Sequence, residues 1–255
     1  MPKLSSAETR AIAPLAERQL RRWAGTLASW ADPSQRRVER LPEDVKPFVA
    51  LSRQAGAGGE DVGRLVAAAL GCECLDRELL TRLAESEHLP RILLEFVDET
   101  TSTLVREVFS RWLDARVITQ DEFVRRLGHL MLIAAHDGPA VFVGRGAQFI
   151  LPRDKALAVY VIAPLERRVA DAMTRRQLDH QAAEAWVRDT DEDRAHFIRH
   201  QFHADPTDPR LYDLTINLEW LDQQTAARTI VEAYRQRFGR SVPAGGRVIG
   251  ATSRG

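Results

Sequence analysis

The sequence predicts an α/β protein, a three-layer α/β/α domain built around a mostly parallel sheet. Three observations carry this reading. Short apolar runs alternate with long amphipathic stretches. The first apolar run ends in a glycine-rich turn, and a helical pattern follows it directly. The chain has 255 residues, 44% of them hydrophobic, enough for a core that needs neither disulfide nor metal.

The elements follow in order. Residues 1–46 form an N-terminal arm and connector. Leu15, Leu20, Trp23, Leu27 and Trp30 recur there at helical spacing and form one stripe. Pro14 is tolerated in the first turn of such a helix, and Asp32-Pro33-Ser34 ends it. Two tryptophans on one stripe are costly to expose. The stripe is therefore expected to pack on the main domain or, in a homodimer, on a second copy of the chain.

The main domain is read over residues 47–240. Phe48-Val49-Ala50-Leu51 is its first strand, and Val62, Leu65, Val66, Ala69 and Leu70 line one face of a helix closed by Gly71. A second strand is read from Cys72 to Leu75. Ala140–Val143, Ala156–Ile162 and Leu214–Asn217 read as further buried strands. Residues 77–87, 102–113, 121–136, 165–178, 181–202 and 223–238 read as helices. The tail, residues 241–255, is rich in Gly, Arg and Ser and reads as disordered.

Composition limits the partners. Lys+Arg and Asp+Glu both number 36, a formal net charge of zero. That argues against nucleic acid or a membrane surface as partner, yet leaves room for a local basic site for a small anion. Cys72 and Cys74 are the only cysteines, so no disulfide framework exists and a cytoplasmic location is expected. The N-terminus lacks an apolar signal segment, and no run of eighteen apolar residues occurs, so no membrane span is expected.

The most informative segment is the loop Ser52, Arg53, Gln54, Ala55, Gly56, Ala57, Gly58, Gly59. Strand, glycine-rich loop, helix is the geometry that cradles phosphate, because backbone N–H groups converge there and the helix N-terminus favours an anion. The usual loop ends in Gly-Lys-Ser/Thr. Here Gly59 stands at the lysine position, and Glu60 and Asp61 follow. A tight structural turn would look the same, and first-turn acids also complement a helix dipole.

Four motifs in sequence resemble the cytidylate kinase-like family. They are Ser52-Arg53-Gln54 with Gly56, Gly58 and Gly59; Leu75-Asp76-Arg77-Glu78-Leu79-Leu80; Val143-Gly144-Arg145-Gly146-Ala147; and Asp208-Pro209 with Tyr212-Asp213-Leu214, Ile216 and Asn217. The family is a branch of the P-loop nucleoside monophosphate kinases whose phosphate loop begins Ser-Arg and lacks the lysine. The resemblance spans roughly residues 47–238. It implies a P-loop kinase-like domain with a helical lid, and transfer of phosphate from ATP, with Mg2+, to CMP or dCMP. A nucleotide-binding regulator of the same fold, weakly active or inactive, is the alternative.

The resemblance also implies roles. Residues from Ser52 to Asp61 would hold the donor phosphates. Arg53 is the loop's single cation, and its removal is expected to weaken ATP binding while leaving the fold intact. Asp76 and Arg77 fall where acceptor-site residues sit; an N-cap with a surface arginine is the plainer reading. Arg145 would grip the acceptor's phosphate with its planar fork. Among the arginines of the lid region, Arg194 is the foremost catalytic candidate. Asp191 is assigned to substrate binding, and its spacing from Arg194 places the two to pair on one helix face.

Two departures stand out. Glu60 takes the place of an arginine common in relatives and would repel phosphate unless it points away. No hydroxyl follows the glycines to meet magnesium, which leaves Asp61 as the carboxylate within reach. His196, His200 and His203 have chelating spacing, but a lid helix accounts for them more simply.

Overall fold

The computed structural model describes residues 14, 16–23, 25, 45–84 and 122–239. The predicted helix over 102–113, the stripe residues Leu15, Leu27 and Trp30, most of the connector and the 241–255 tail lie outside these residues.

Five strands form one parallel sheet: β1 (Phe48–Arg53), β2 (Glu73–Leu75), β3 (Ala140–Val143), β4 (Ala156–Ile162) and β5 (Leu214–Asn217). Their order is β2-β3-β1-β4-β5. The first strand is thus central, and the chain passes to opposite sides of it, so the carboxyl end of β1 lies at a topological switch point. Register is continuous across it: Leu51 faces Val143 on one side and Val159 on the other. The runs of β1, β3 and β4 have no polar alternation because both faces of the sheet are covered there; the edge strand β5, expected to be buried, instead alternates, with Thr215 and Asn217 exposed and Ile216 buried.

The helices flank this sheet. Residues 16–23 form α1. They are followed by α2 (Gly59–Leu70), α3 (Arg77–Ala84), α4 (Glu122–Asp137) and the short α5 (Ala147–Ile150). Then come α6 (Leu165–Arg176), α7 (His180–Phe202) and α8 (Gln223–Phe238). One face of the sheet packs on α2 and α8 through Val62, Val66, Ile230 and Tyr234. The other packs on α1, α3 and α4 through Trp23, Leu80, Leu83, Leu127 and Leu130. A smaller cluster, with Ala55, Val169, Ala172, Ala183 and Val187, joins the α6–α7 pair to the glycine-rich loop.

The described part of the arm packs on the main domain. Ala16, Leu20 and Trp23 belong to the same cluster as Phe48 and Phe142, and Trp23 is fully buried. Arg22 fastens the helix from outside, with Nη1 2.5 Å from Glu73 and Nε 2.7 Å from Asp137. This half of the stripe is therefore spent within the chain.

Gly63 explains how closely α2 approaches the sheet. A Cβ there would stand 2.7 Å from Val143 Cγ2, so only glycine lets the helix lie this low. The predicted helices over 165–178, 181–202 and 223–238 match α6, α7 and α8 to within two residues at either end. Asp179 and Asp222 cap α7 and α8 by accepting from the N–H groups of Ala182 and Thr225.

Candidate functional site

The loop between β1 and α2 is fixed at both ends. Gln54 N–H donates to Val161 O (3.0 Å), and Gln54 Oε1 accepts from Ala163 N–H (3.1 Å), which ties the loop's first turn to β4. At the far end Gly58 has φ +79 and starts α2 in the left-handed region, which only glycine enters without cost. The first-turn N–H groups of α2 have no partner within the helix. Backbone N–H groups at the start of α2 are thus left for a partner from outside the helix, an arrangement that favours an anion.

The lid region holds this loop from above. Asp191, on α7, accepts from Ala55 N–H at 2.7 Å through Oδ1 and from Arg168 Nη1 at 2.5 Å through Oδ2. Arg168 also donates to the carbonyls of Ala163 and Ala55. The expected Asp191–Arg194 pair is therefore replaced. Residues three apart on α7 diverge here because the loop's amide and the buried Arg168 offer Asp191 closer partners.

Arg194 reaches the loop by another route. Its Nη1 donates to Arg53 O at 3.0 Å, and its Nη2 lies 3.6 Å from Glu60 Oε1. The Arg53 side chain is only 3% exposed. It lies under the loop, against Gly59 and Gly144, where added Cβ atoms would strike it. Its Nε donates to Glu60 Oε1 at 2.8 Å, and Nη2 lies 2.8 Å from the same oxygen. Glu60 thus points back beneath the loop rather than at the cradle, which resolves the repulsion its position suggested. Burial alone would raise the Glu60 carboxyl, but Arg53 and Arg194 outweigh it and hold the pKa at about 2. Burial and the neighbouring Arg53 push Arg194 down to about 9. The expectation that Arg53 can be removed without cost to the fold does not survive this geometry, because Glu60 would lose its main counterion.

Asp61 is also committed. It meets Arg64 at 2.6 Å and Arg175 at 2.5 Å, and accepts from Gln223 Nε2 at 3.3 Å. Burial would raise its pKa, but hydrogen bonds from Arg175 and Arg64 hold it below the ordinary carboxylate value. This network turns Asp61 toward α6 and α8, so it does not fit the magnesium role considered for it. Among the described residues no group of three or more His, Cys, Asp or Glu side chains could hold a metal. That includes His196, His200 and His203; the first two rings stack at 5.8 Å.

A cavity of about 400 Å³ opens beside this loop. Its floor is the carboxyl ends of β1 and β3, with Ser52, Arg53, Gln54 and Gly144–Gly146. Its roof is the Asp191–Arg199 stretch of α7. Arg77, Arg145, Arg194 and Arg199 all line it. With Arg53 in the floor the lining holds five arginines against three acids, Asp191, Glu192 and Asp193, a surplus of positive charge that favours an anion. Arg145 has φ +58 between Gly144 at +82 and Gly146 at +71. Three successive left-handed residues turn the chain sharply after β3 and aim Arg145 into the cavity, where its guanidinium lies 5.5 Å from the Phe197 ring. A non-glycine residue held in this region marks a constrained position at a site.

The remaining expected residues separate. Asp76 accepts from Leu79 N–H at 2.9 Å, which is the N-cap role, whereas Arg77 lines the cavity. Arg175 and Arg188 pair with Asp171 and Glu184 on their own helices, and Arg176 lies over Trp186.

Sequence reasoning missed three contributors. Gln148 Nε2 donates to Ser52 Oγ at 3.3 Å. Tyr160 and Tyr212 stack at 4.8 Å in the cavity wall. Tyr212 also donates to Pro206 O, fixing the turn that precedes β5. Tyr212 sits in a quoted motif, but nothing in the sequence reveals its partner.

Sheet order, glycine-rich loop and helical lid together define a P-loop kinase-like fold. The comparisons with known proteins agree. The pattern of the cytidylate kinase-like family matches residues 48–219, and the chain belongs to that family. It is thereby a member of a kinase-type family of phosphotransferases. An uncharacterized protein from Eubacterium ventriosum has the same fold at 18% identity and a TM-score of 0.53, covering 74% of this chain and 98% of its own. Shikimate kinase from Acinetobacter baumannii, solved with shikimate, aligns at 17% identity and a TM-score of 0.40, over 75% of this chain and 94% of its own. APS kinase from Mycobacterium tuberculosis, solved with AMPPNP and APS, aligns at 17% identity and a TM-score of 0.38, over 74% and 96%. No curated protein matches the sequence significantly. Among the described residues no helix is long and apolar enough to cross a membrane.

Proposed function

We propose that the protein is a nucleoside monophosphate kinase, transferring the terminal phosphate of ATP to CMP or dCMP. The observation that carries this reading is the cavity between the phosphate-type loop and α7, with Arg77, Arg145, Arg194 and Arg199 on its walls. In the reading, the loop holds the donor phosphates on the backbone N–H groups of Gly56, Gly58, Gly59 and the start of α2, since those of Gln54, Ala55 and Ala57 are taken up within the protein. Arg145 and Arg77 hold the acceptor's phosphate. Arg194, tied to Arg53 O at the junction of loop and cavity, stabilises charge on the group in transit. Phosphoryl transfer asks for such alignment and positive charge rather than for covalent chemistry. Magnesium would enter on the nucleotide's phosphates, and no protein ligand for it is assigned here.

A binding experiment tests the division of labour. Titration calorimetry of Arg145→Gln should show CMP weakened at least about tenfold, the loss of about 1.4 kcal/mol, with ATP nearly unaffected. Equal weakening of both, or of neither, removes Arg145 from the acceptor site.

The second reading, a nucleotide-binding regulator, draws on one observation: both acidic residues after the glycines are present and ion-paired. Tight ATP binding without turnover would favour it.

A further inference from the structure

The Arg53, Glu60 and Arg194 side chains meet beneath the phosphate-type loop, and neither composition nor motif accounts for the meeting. One carboxylate oxygen, Glu60 Oε1, accepts a hydrogen bond from Arg53 Nε at 2.8 Å, with Arg53 Nη2 in ion-pair contact at 2.8 Å and Arg194 Nη2 at 3.6 Å. Arg53 is closed off from solvent, whereas the Glu60 and Arg194 side chains keep 32% and 21% exposure. Arg53 and Arg194 both line the cavity, and Arg194 is the more exposed of the two cations. Its Nε is buried without a hydrogen-bond partner, as is Arg53 Nη2, which meets Glu60 only as an ion pair.

The cluster carries two positive charges and one negative charge. Glu60 is ionised at neutral pH, since its pKa lies at about 2. The sum is one positive charge, the charge a lysine would bring to a loop of this type. Other ionic groups at the loop are satisfied among themselves: Asp61 with Arg64 and Arg175, and Asp191 with Arg168.

Resting on the kinase reading above, we infer that Arg53, Glu60 and Arg194 act as one unit that replaces the missing lysine. Arg194 meets the phosphate, and the buried Arg53–Glu60 pair positions it and sets the unit's net charge at one. Glu60 is then a tuning residue and not a relic. Removing its charge leaves two uncompensated cations under the loop, and removing the charge of Arg53 leaves none in surplus.

The net charge of the unit fixes the signs of three substitutions. The probe is inorganic tripolyphosphate, titrated into the full-length protein at two salt concentrations, with thermal melting to confirm folding. Glu60→Gln should bind it about fivefold more tightly or better, with a steeper salt dependence. Arg53→Gln and Arg194→Gln should each bind about fivefold more weakly or worse. The double variant R53Q/E60Q should fall between the two extremes set by E60Q and R53Q. A purely structural pair gives a different pattern: E60Q and R53Q both weaken binding, and the double variant is no better than either. If R53Q does not fold, E60Q and R194Q decide the matter, because their predicted signs are opposite. Binding by the wild-type protein that is unchanged or weaker in E60Q overturns the proposal alone. Failure of the wild-type protein to bind tripolyphosphate overturns the kinase reading beneath it as well.

Discussion

Arg53 shows how far a single residue's role depends on its partner. Its place after the first strand suggested a cation offered to a ligand. In the folded chain it is 6% exposed and paired with Glu60. Arg53→Ala should therefore reduce stability as well as binding. Breaking a fully buried pair costs about 3–5 kcal/mol, and about 2 kcal/mol is expected here because Glu60 keeps some contact with water. Urea unfolding of the variant checks this, and an unchanged midpoint would put Arg53 back in the role of a freely disposable ligand contact. Part of the candidate site was legible in the sequence: Ser52, Arg53, Gln54, Arg77, Arg145, Asp191 and Arg194 line the cavity, whereas Ala55 to Asp61 and Asp76 do not. The pairings of the lining residues were not legible. Asp191 chose Ala55 and Arg168 over Arg194 because distance in the fold, not spacing in the chain, selects a carboxylate's partner.

At the level of elements, periodicity identified β1 and β3 to β5 and the helices α2, α6, α7 and α8, since buried strands and amphipathic helices leave distinct patterns. The sharp turn after β3 left a weaker trace. Gly144 and Gly146 hinted at it, but the left-handed conformation of Arg145 between them belongs to a tertiary constraint. Gly63 illustrates a competition that only the fold decides. In an isolated helix, Gly→Ala gains about 1 kcal/mol. Here the added methyl meets Val143 Cγ2 at 2.7 Å, and overpacking a close-packed core costs about 1–3 kcal/mol. Gly63→Ala should thus lower the melting temperature. A rise would mean that α2 can lift off β3 freely, contrary to the packing described.

For the molecule as a whole, the core joins the arm, the sheet and the lid, and its ion pairs make stability depend on acid. Glu60 titrates at about 2 in the fold against an ordinary value of 4.5. A lowered pKa contributes stability that is complete above the unfolded value and is lost as pH falls toward the folded one. The gap corresponds to about 3 kcal/mol at most. Wild type should accordingly exceed Glu60→Gln in stability at pH 7, and the two should converge between about pH 5 and pH 2. Parallel curves across that range would show that Glu60 is not the charged partner of Arg53. The charge balance of zero foretold none of this, because it sums over pairs that the fold keeps local. What the fold leaves unspent is the cavity under α7, with its surplus of arginines, and the central claim concerns its purpose. The most direct test is turnover: coupled ADP release from ATP and magnesium by the full-length protein, with each nucleoside monophosphate in turn. The account predicts release that depends on CMP or dCMP and falls at least about tenfold in Arg194→Gln, the loss of one cation at the transferred group. Folded protein that releases no ADP with any of the monophosphates would contradict it.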